Sequence, residues 1–125
     1  MVVQPPAKKS IVLIVEDELL VRMAAVNLVE EAGFEAIEAW DADQAVRILE
    51  ARADIRILFS DIDMPGSMDG IKLAAAVRGR WPPIDIILTS GHCNVRDAEI
   101  PERGVFLRKP YDHRKLIATL QRMAA

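Results

Sequence analysis

Five short apolar runs alternate along the chain with longer stretches of helical spacing, and this alternation limits the possible folds. The first run, Ile11–Val15, is wholly apolar and rich in branched side chains, as parallel strands covered on both faces are. The other runs are 34–39, 57–59, 84–88 and 105–107. A repeat of strand then helix predicts an α/β domain with a parallel sheet and helices on both faces.

Helices are predicted between most of these strands. The first covers 19–32 and stops at Gly33, which tolerates a left-handed helix end. Asp41 is expected to cap a helix over 42–53, a third helix covers 71–80, and Asp112 caps the last one. Before the last strand, Pro101 leaves room for little more than 95–99. The helix at that place is therefore predicted to be short or absent.

Size and charge narrow the class of protein. With 125 residues, 51% of them hydrophobic, the chain suits one domain. We expect a flexible leader over 1–9 and a folded domain over 10–125. The 16 basic and 19 acidic residues give a net charge of −3, which predicts neither nucleic acid nor membrane as a partner. The single cysteine, Cys93, favours a reducing compartment, so a cytoplasmic location is expected.

Polar residues follow the ends of four predicted strands. Because the carboxyl ends of parallel strands meet at one edge of a sheet, these residues are expected to form one site. They are Glu16 and Asp17, Asp61 and Asp63, Thr89 and Ser90, and Lys109.

The crowded carboxylates in this set need a cation, because like charges a few ångströms apart repel. Oxygen ligands without a cysteine or histidine cluster favour Mg²⁺ over softer metals. A carboxylate is also a competent nucleophile towards phosphorus, and positive groups around it would neutralise the transferred phosphoryl oxygens. The residues therefore predict an aspartyl-phosphate site with Mg²⁺ as cofactor.

Four ordered pieces carry a resemblance to a known family: IVLIVEDE, LFSDIDMPGSMDG, ILTSG and FLRKPY. From about Lys9 to its end, the chain resembles the receiver domain of two-component response regulators. The resemblance implies a flavodoxin-like, doubly wound sheet of five strands in the order 2-1-3-4-5. It differs from the common pattern in the reduced helix before the last strand and in one extra residue in MPGSMDG.

The resemblance also implies roles for the acidic residues. Asp61 would be the phosphoacceptor and a metal ligand. Asp17 would bind the metal directly, Glu16 would act through water, and the backbone carbonyl of Asp63 would be a further ligand.

The remaining implied roles concern switching. Ser90 would be the switch hydroxyl, with Thr89 as its rival, and Phe106 would be the aromatic residue that moves inward. Lys109 would pair with Asp61 and its phosphate, and the peptide bond that follows Lys109 would be cis.

The same resemblance implies a phosphoacceptor switch, which catalyses only its own phosphorylation and dephosphorylation and is otherwise no enzyme. Its donor would be a sensor histidine kinase or a phosphotransfer protein, and its downstream partner is unknown. We expect a stand-alone response regulator. The alternatives are the receiver module of a hybrid histidine kinase, an unphosphorylated interaction module, and a haloacid-dehalogenase-type phosphohydrolase. The motif ILFSDIDMP suggests the last of these, and Pro65 argues against it.

Other polar residues are expected to be ordinary surface groups. His92 and His113 are interpreted as exposed polar residues. Four arginines are predicted to lie on solvated helix faces: Arg22, Arg47, Arg78 and Arg80.

Overall fold

The computed structural model describes residues 8–92 and 99–125, which form one parallel sheet between two layers of helices. The strands are β1 (Ile11–Val15), β2 (Glu35–Ala39), β3 (Ile55–Asp61), β4 (Asp85–Ser90) and β5 (Gly104–Arg108). Their order in the sheet is β2-β1-β3-β4-β5, which confirms the expected flavodoxin-like topology. Since the chain passes from β1 to one side and later returns to the other, the strand order reverses between β1 and β3.

Within these described ranges, four α-helices cover the sheet: α1 (Leu19–Glu31), α2 (Ala42–Ala51), α3 (Gly70–Arg80) and α4 (His113–Ala124). Alternate residues of the strands face opposite layers, except at an irregularity near the start of β3, where Ile55 and Ile57 face different layers. Leu13, Leu58 and Ile86 pack in a core with residues of α2 and α3, whereas Ile14 and Phe59 pack in a second core with α1 and α4. All five residues of β1 are buried because both of its faces are covered.

Helix starts and ends follow local chemistry. The Asp41 carboxylate accepts a hydrogen bond of 2.8 Å from the Gln44 backbone N–H, which caps α2. Asp69 and Asp112 cap α3 and α4 in the same way. After α1, Gly33 has φ +94°, a left-handed conformation that costs glycine little.

The structure describes only part of the segment between β4 and β5. Residues 93–98 lie outside the described residues, and with them lie Cys93 and all of the expected short helix except Glu99. Among the residues described between these strands there is no α-helix. Most of the expected leader also lies outside, since the description begins at Lys8.

Two of the four arginines predicted on solvated helix faces are half-buried in specific contacts, whereas Arg80 stays exposed and pairs with Glu50 at 2.8 Å. The Arg22 side chain is only 12% exposed and donates to Glu38 Oε1 at 3.0 Å and to the Glu16 backbone oxygen at 2.9 Å. Arg78 donates to the backbone oxygens of Glu102 and Pro82. The prediction was wrong for these two because helical spacing does not reveal which backbone oxygens a long side chain reaches.

None of the helices in the described part of the chain is long and apolar enough to cross a membrane.

Candidate functional site

Three carboxylates meet where the strand order reverses. Glu16 and Asp17 follow β1, and Asp61 ends β3, the strand paired with β1. One oxygen from each of these three side chains lies within 4.8 Å of the others. Glu16 and Asp61 are buried whereas Asp17 is exposed, so the cluster opens to solvent on one side.

A lysine that follows the edge strand β5 reaches the same cluster. Lys109 follows β5, which is separated from β3 by β4. Its ammonium donates to Glu16 Oε1 at 3.2 Å and lies 3.5 Å from Asp61 Oδ1. The peptide bond from Lys109 to Pro110 is cis, as expected. The structure therefore brings the predicted acceptor, the acidic pair and the lysine into one site.

The electrostatics of the cluster disfavour its full negative charge. Burial raises the pKa of Asp61, although the charge of Lys109 and the backbone amide of Asp63 act in the opposite direction. Burial also raises the pKa of Glu16, and the hydrogen bond from the Glu18 backbone N–H opposes it. Buried carboxylates with raised pKa values gain free energy from a cation that neutralises them.

The oxygen atoms present fit a hard divalent cation. Asp61 Oδ1 is buried and has no hydrogen-bond partner among the described residues. A buried oxygen without a hydrogen bond is costly unless another positive group approaches it. Carboxylates with an opening to water match the preference of Mg²⁺ for a few protein oxygens and several waters.

Adjacent hydroxyls at the end of β4 point to different layers. Thr89 is paired with Asp61 in the sheet, and both line a cavity of about 10 Å³ together with Lys109. The hydroxyl of Thr89 is buried and has no hydrogen-bond partner among the described residues. The Ser90 hydroxyl, in contrast, donates to Asp63 Oδ2 at 2.5 Å and accepts from the His92 backbone N–H at 3.1 Å.

The predicted aromatic residue shares a sheet face with Ser90. Phe106 pairs with Leu88, two residues before Ser90, and packs half-buried against the core that includes Leu88. His92 and His113 are exposed, as expected.

Two features of the site were not predicted from the sequence. One is the hydrogen bond from Ser90 to the side chain of Asp63, and the other is the buried Thr89 hydroxyl beside Asp61, which has no hydrogen-bond partner among the described residues. The D-x-D spacing indicated a second carboxylate in the loop just after β3, but it did not indicate which residue that carboxylate binds.

Comparisons with known proteins agree with this geometry. The family profile of the response regulator receiver domain matches residues 12–121. The chain therefore belongs to the response regulator receiver domain family. That family assignment leaves no support for the haloacid-dehalogenase alternative.

Curated relatives and solved structures show the same similarity. The chain is 31% identical over 115 residues to the nitrogen assimilation regulatory protein NtrX of Azorhizobium caulinodans, covering 89% of this chain and 25% of that protein. It is 34% identical over 116 residues to the sensor kinase CckA of Brucella abortus, covering 90% of this chain and 12% of that protein. The crystal structure of a response regulator receiver protein from Pseudomonas putida has a TM-score of 0.82 at 28% identity, covering 94% of this chain and 99% of that one. The chain thus spans a quarter or less of these two curated relatives.

Proposed function

We propose that this domain accepts a phosphoryl group on Asp61, with Mg²⁺ in the acidic cluster, and thereby changes its affinity for a downstream protein. One observation carries the proposal: three carboxylates lie within 4.8 Å of one another, with the Lys109 ammonium 3.5 Å from Asp61. Such a site holds a nucleophile and positive charge in one place, which is what phosphoryl transfer requires.

The transfer itself is a displacement at phosphorus. A carboxylate oxygen of Asp61 attacks, the bond from phosphorus to the donor's histidine nitrogen breaks, and that nitrogen keeps the electron pair. Lys109 holds its positive charge beside the acceptor and stabilises the added negative charge. When bound, Mg²⁺ supplies further positive charge to the phosphoryl oxygens.

The contacts of the acidic residues support different metal-binding roles. Glu16 already accepts hydrogen bonds from Lys109 and from the Glu18 backbone N–H, so it suits a ligand that acts through water. Exposed Asp17 suits direct binding, together with Asp61 and the backbone carbonyl of Asp63. This set leaves positions for water and for a phosphoryl oxygen, as Mg²⁺ prefers.

Switching is proposed to pass through Ser90 and Phe106. Ser90 would turn its hydroxyl towards the phosphoryl group, and Phe106, on the same sheet face, would move inward. Phosphorylation would then shift an equilibrium between two existing packings of the domain.

The proposed donor is a sensor histidine kinase or a phosphotransfer protein. CckA is named as a sensor kinase and NtrX as a regulatory protein, so relatives carry this domain in different settings. The domain over 10–125 is proposed to act in the cytoplasm as a switch that its own phosphorylation controls. It would catalyse only its own phosphorylation and dephosphorylation and would not turn over an external substrate. The expectation of no nucleic-acid or membrane partner stays a prediction from the charge balance.

Labelling with a small phosphodonor tests the proposal. With phosphoramidate and Mg²⁺, intact-mass measurement should show one added phosphoryl group per chain, and chelation of Mg²⁺ should abolish it. Asp61→Ala should remove the label, whereas Asp43→Ala, an exposed aspartate on α2, should keep it. Equal labelling of Asp61→Ala and the unaltered protein would overturn the assignment. A pulldown with and without beryllium fluoride would then identify the downstream partner.

A further inference from the structure

Among the described residues, two neighbours hold the hydroxyl of Ser90. It donates to the carboxylate of Asp63 over 2.5 Å, and its oxygen accepts the His92 backbone N–H over 3.1 Å. Ser90 is fully buried and Asp63 is half-buried. A hydroxyl-to-carboxylate bond of this length belongs to the charge-assisted class, which is about twice as strong as neutral hydrogen bonds.

A serine hydroxyl carries one proton and can donate it well to one acceptor at a time. In the unphosphorylated domain that acceptor is Asp63. A phosphoryl group on Asp61 would offer a second anionic acceptor at the same strand ends. The two acceptors therefore compete for a single donor.

We infer that the Asp63 carboxylate is a latch, which holds the Ser90 hydroxyl in the unphosphorylated state and must release it before Ser90 can bind the phosphoryl group. The inference rests on the proposed function of Asp61 and deepens it. It gives the side chain of Asp63 a positioning role that is separate from the metal-binding role of its backbone carbonyl.

The latch lowers the fraction of the unphosphorylated domain that is in the switched state. When the Ser90 hydroxyl exchanges the Asp63 carboxylate for the phosphoryl group as its acceptor, it gains less free energy than when it exchanges water for the phosphoryl group. The hydrogen bond to Asp63 therefore opposes switching. Without the carboxylate, a larger fraction of the unphosphorylated domain has its Ser90 hydroxyl available. A ligand that binds only the switched state then binds more tightly, in proportion to that fraction.

The probe is beryllium fluoride at saturating Mg²⁺, a phosphoryl mimic whose dissociation constant can be measured by calorimetry. Asp63→Ala should lower this constant about tenfold beyond any effect of charge. Because the substitution also removes a negative charge near an anion, it is repeated in a Ser90→Ala background, where only the charge effect remains. A double-mutant cycle isolates the difference.

The cycle has two decisive results. A tightening that is about tenfold larger with Ser90 present supports the latch. Equal tightening in both backgrounds overturns it, because the whole effect is then electrostatic. Asp63→Asn, which keeps an acceptor oxygen without the charge, should give an intermediate value.

A second measurement uses the unaltered protein and does not depend on a variant folding. By nuclear magnetic resonance, the Ser90 hydroxyl proton should exchange slowly and lie close to Asp63, and this contact should disappear with Mg²⁺ and beryllium fluoride. Its absence before the mimic is added would overturn the latch. If the unaltered protein neither binds the mimic nor accepts phosphate, the proposed function fails as well; if it does both and the cycle shows no coupling, only the latch fails.

Discussion

The ammonium of Lys109 donates a 3.2 Å hydrogen bond to Glu16 Oε1, across 93 residues of sequence. Burial acts to lower the pKa of Lys109, but the charges of Asp61 and Glu16 outweigh it and the pKa is raised. One cation thus links the ends of three strands, β1, β3 and β5, and compensates the two buried carboxylates.

Replacement of Lys109 by methionine should therefore impair both folding stability and phosphorylation. Methionine keeps much of the side-chain length but leaves Glu16 and Asp61 without their cation. We expect a loss of about 2 kcal/mol in the free energy of unfolding in the absence of Mg²⁺. The rate of phosphoramidate labelling should fall about hundredfold. Lys115→Met, at an exposed position of α4, should change neither, and unimpaired labelling of Lys109→Met would contradict this prediction.

Asp61→Asn should stabilise the metal-free protein at neutral pH. The folded-state pKa of Asp61 is raised, so its contribution to stability is present below its unfolded pKa and is lost as the pH rises through the folded value. Above that range the buried charge costs free energy, and asparagine removes it. We expect a gain of about 1 kcal/mol near about pH 7 and almost none near about pH 4.

Mg²⁺ should reduce this difference. Added metal should raise the unfolding temperature of the unaltered protein more than that of Asp61→Asn, and the effect should shrink as protons replace the metal at low pH. Thermal unfolding with chelator and with Mg²⁺ measures both. A gain from Asp61→Asn that is the same at both pH values would show that charge is not its cause.

Two glycines of α3 should respond to alanine in opposite ways. At Gly70 an added methyl group would fall on the backbone oxygen of Asp61 and 2.7 Å from Ile62 Cα. Gly70→Ala should cost about 2 kcal/mol and push the acceptor strand end out of place, slowing labelling. At Gly79 nothing lies within 4 Å of such a methyl, so Gly79→Ala should gain about 0.5 to 1 kcal/mol. Chemical denaturation measures both, and equal effects at the two positions would contradict the close approach at Gly70.

Thr89→Val should raise the unfolding temperature. The Thr89 hydroxyl is buried with no hydrogen-bond partner among the described residues, so an apolar side chain of similar shape avoids its desolvation cost. A gain of about 1 kcal/mol corresponds to a rise of about 4 °C. Thr119→Val is the matched control, because the buried hydroxyl of Thr119 donates to the Lys115 backbone oxygen at 2.7 Å. Loss of that hydrogen bond should lower the unfolding temperature. A lower unfolding temperature for Thr89→Val would show that its hydroxyl has a partner after all.

The sequence predicted the strand ends well because two features agree there: an apolar run identifies a buried strand, and the first polar residue after it lies at the sheet edge. The prediction of a parallel sheet then placed Asp61 near Glu16. Spacing could not reveal the bond from Ser90 to Asp63, since side-chain directions depend on neighbouring strands. β4 ends with Thr89 and Ser90, as predicted, because pairing of Asp61 with Thr89 and of Ser90 with Arg108 continues the sheet to that point.

Thr89 and Ser90 are consecutive in the chain, yet their side chains belong to opposite sides of the sheet. Asp61 and Thr89 lie on the face towards α1 and α4, whereas Ser90 and Phe106 lie on the face towards α2 and α3. Under the proposed roles, the last two residues of β4 therefore connect the acceptor on one face of the sheet to the responding side chains on the other.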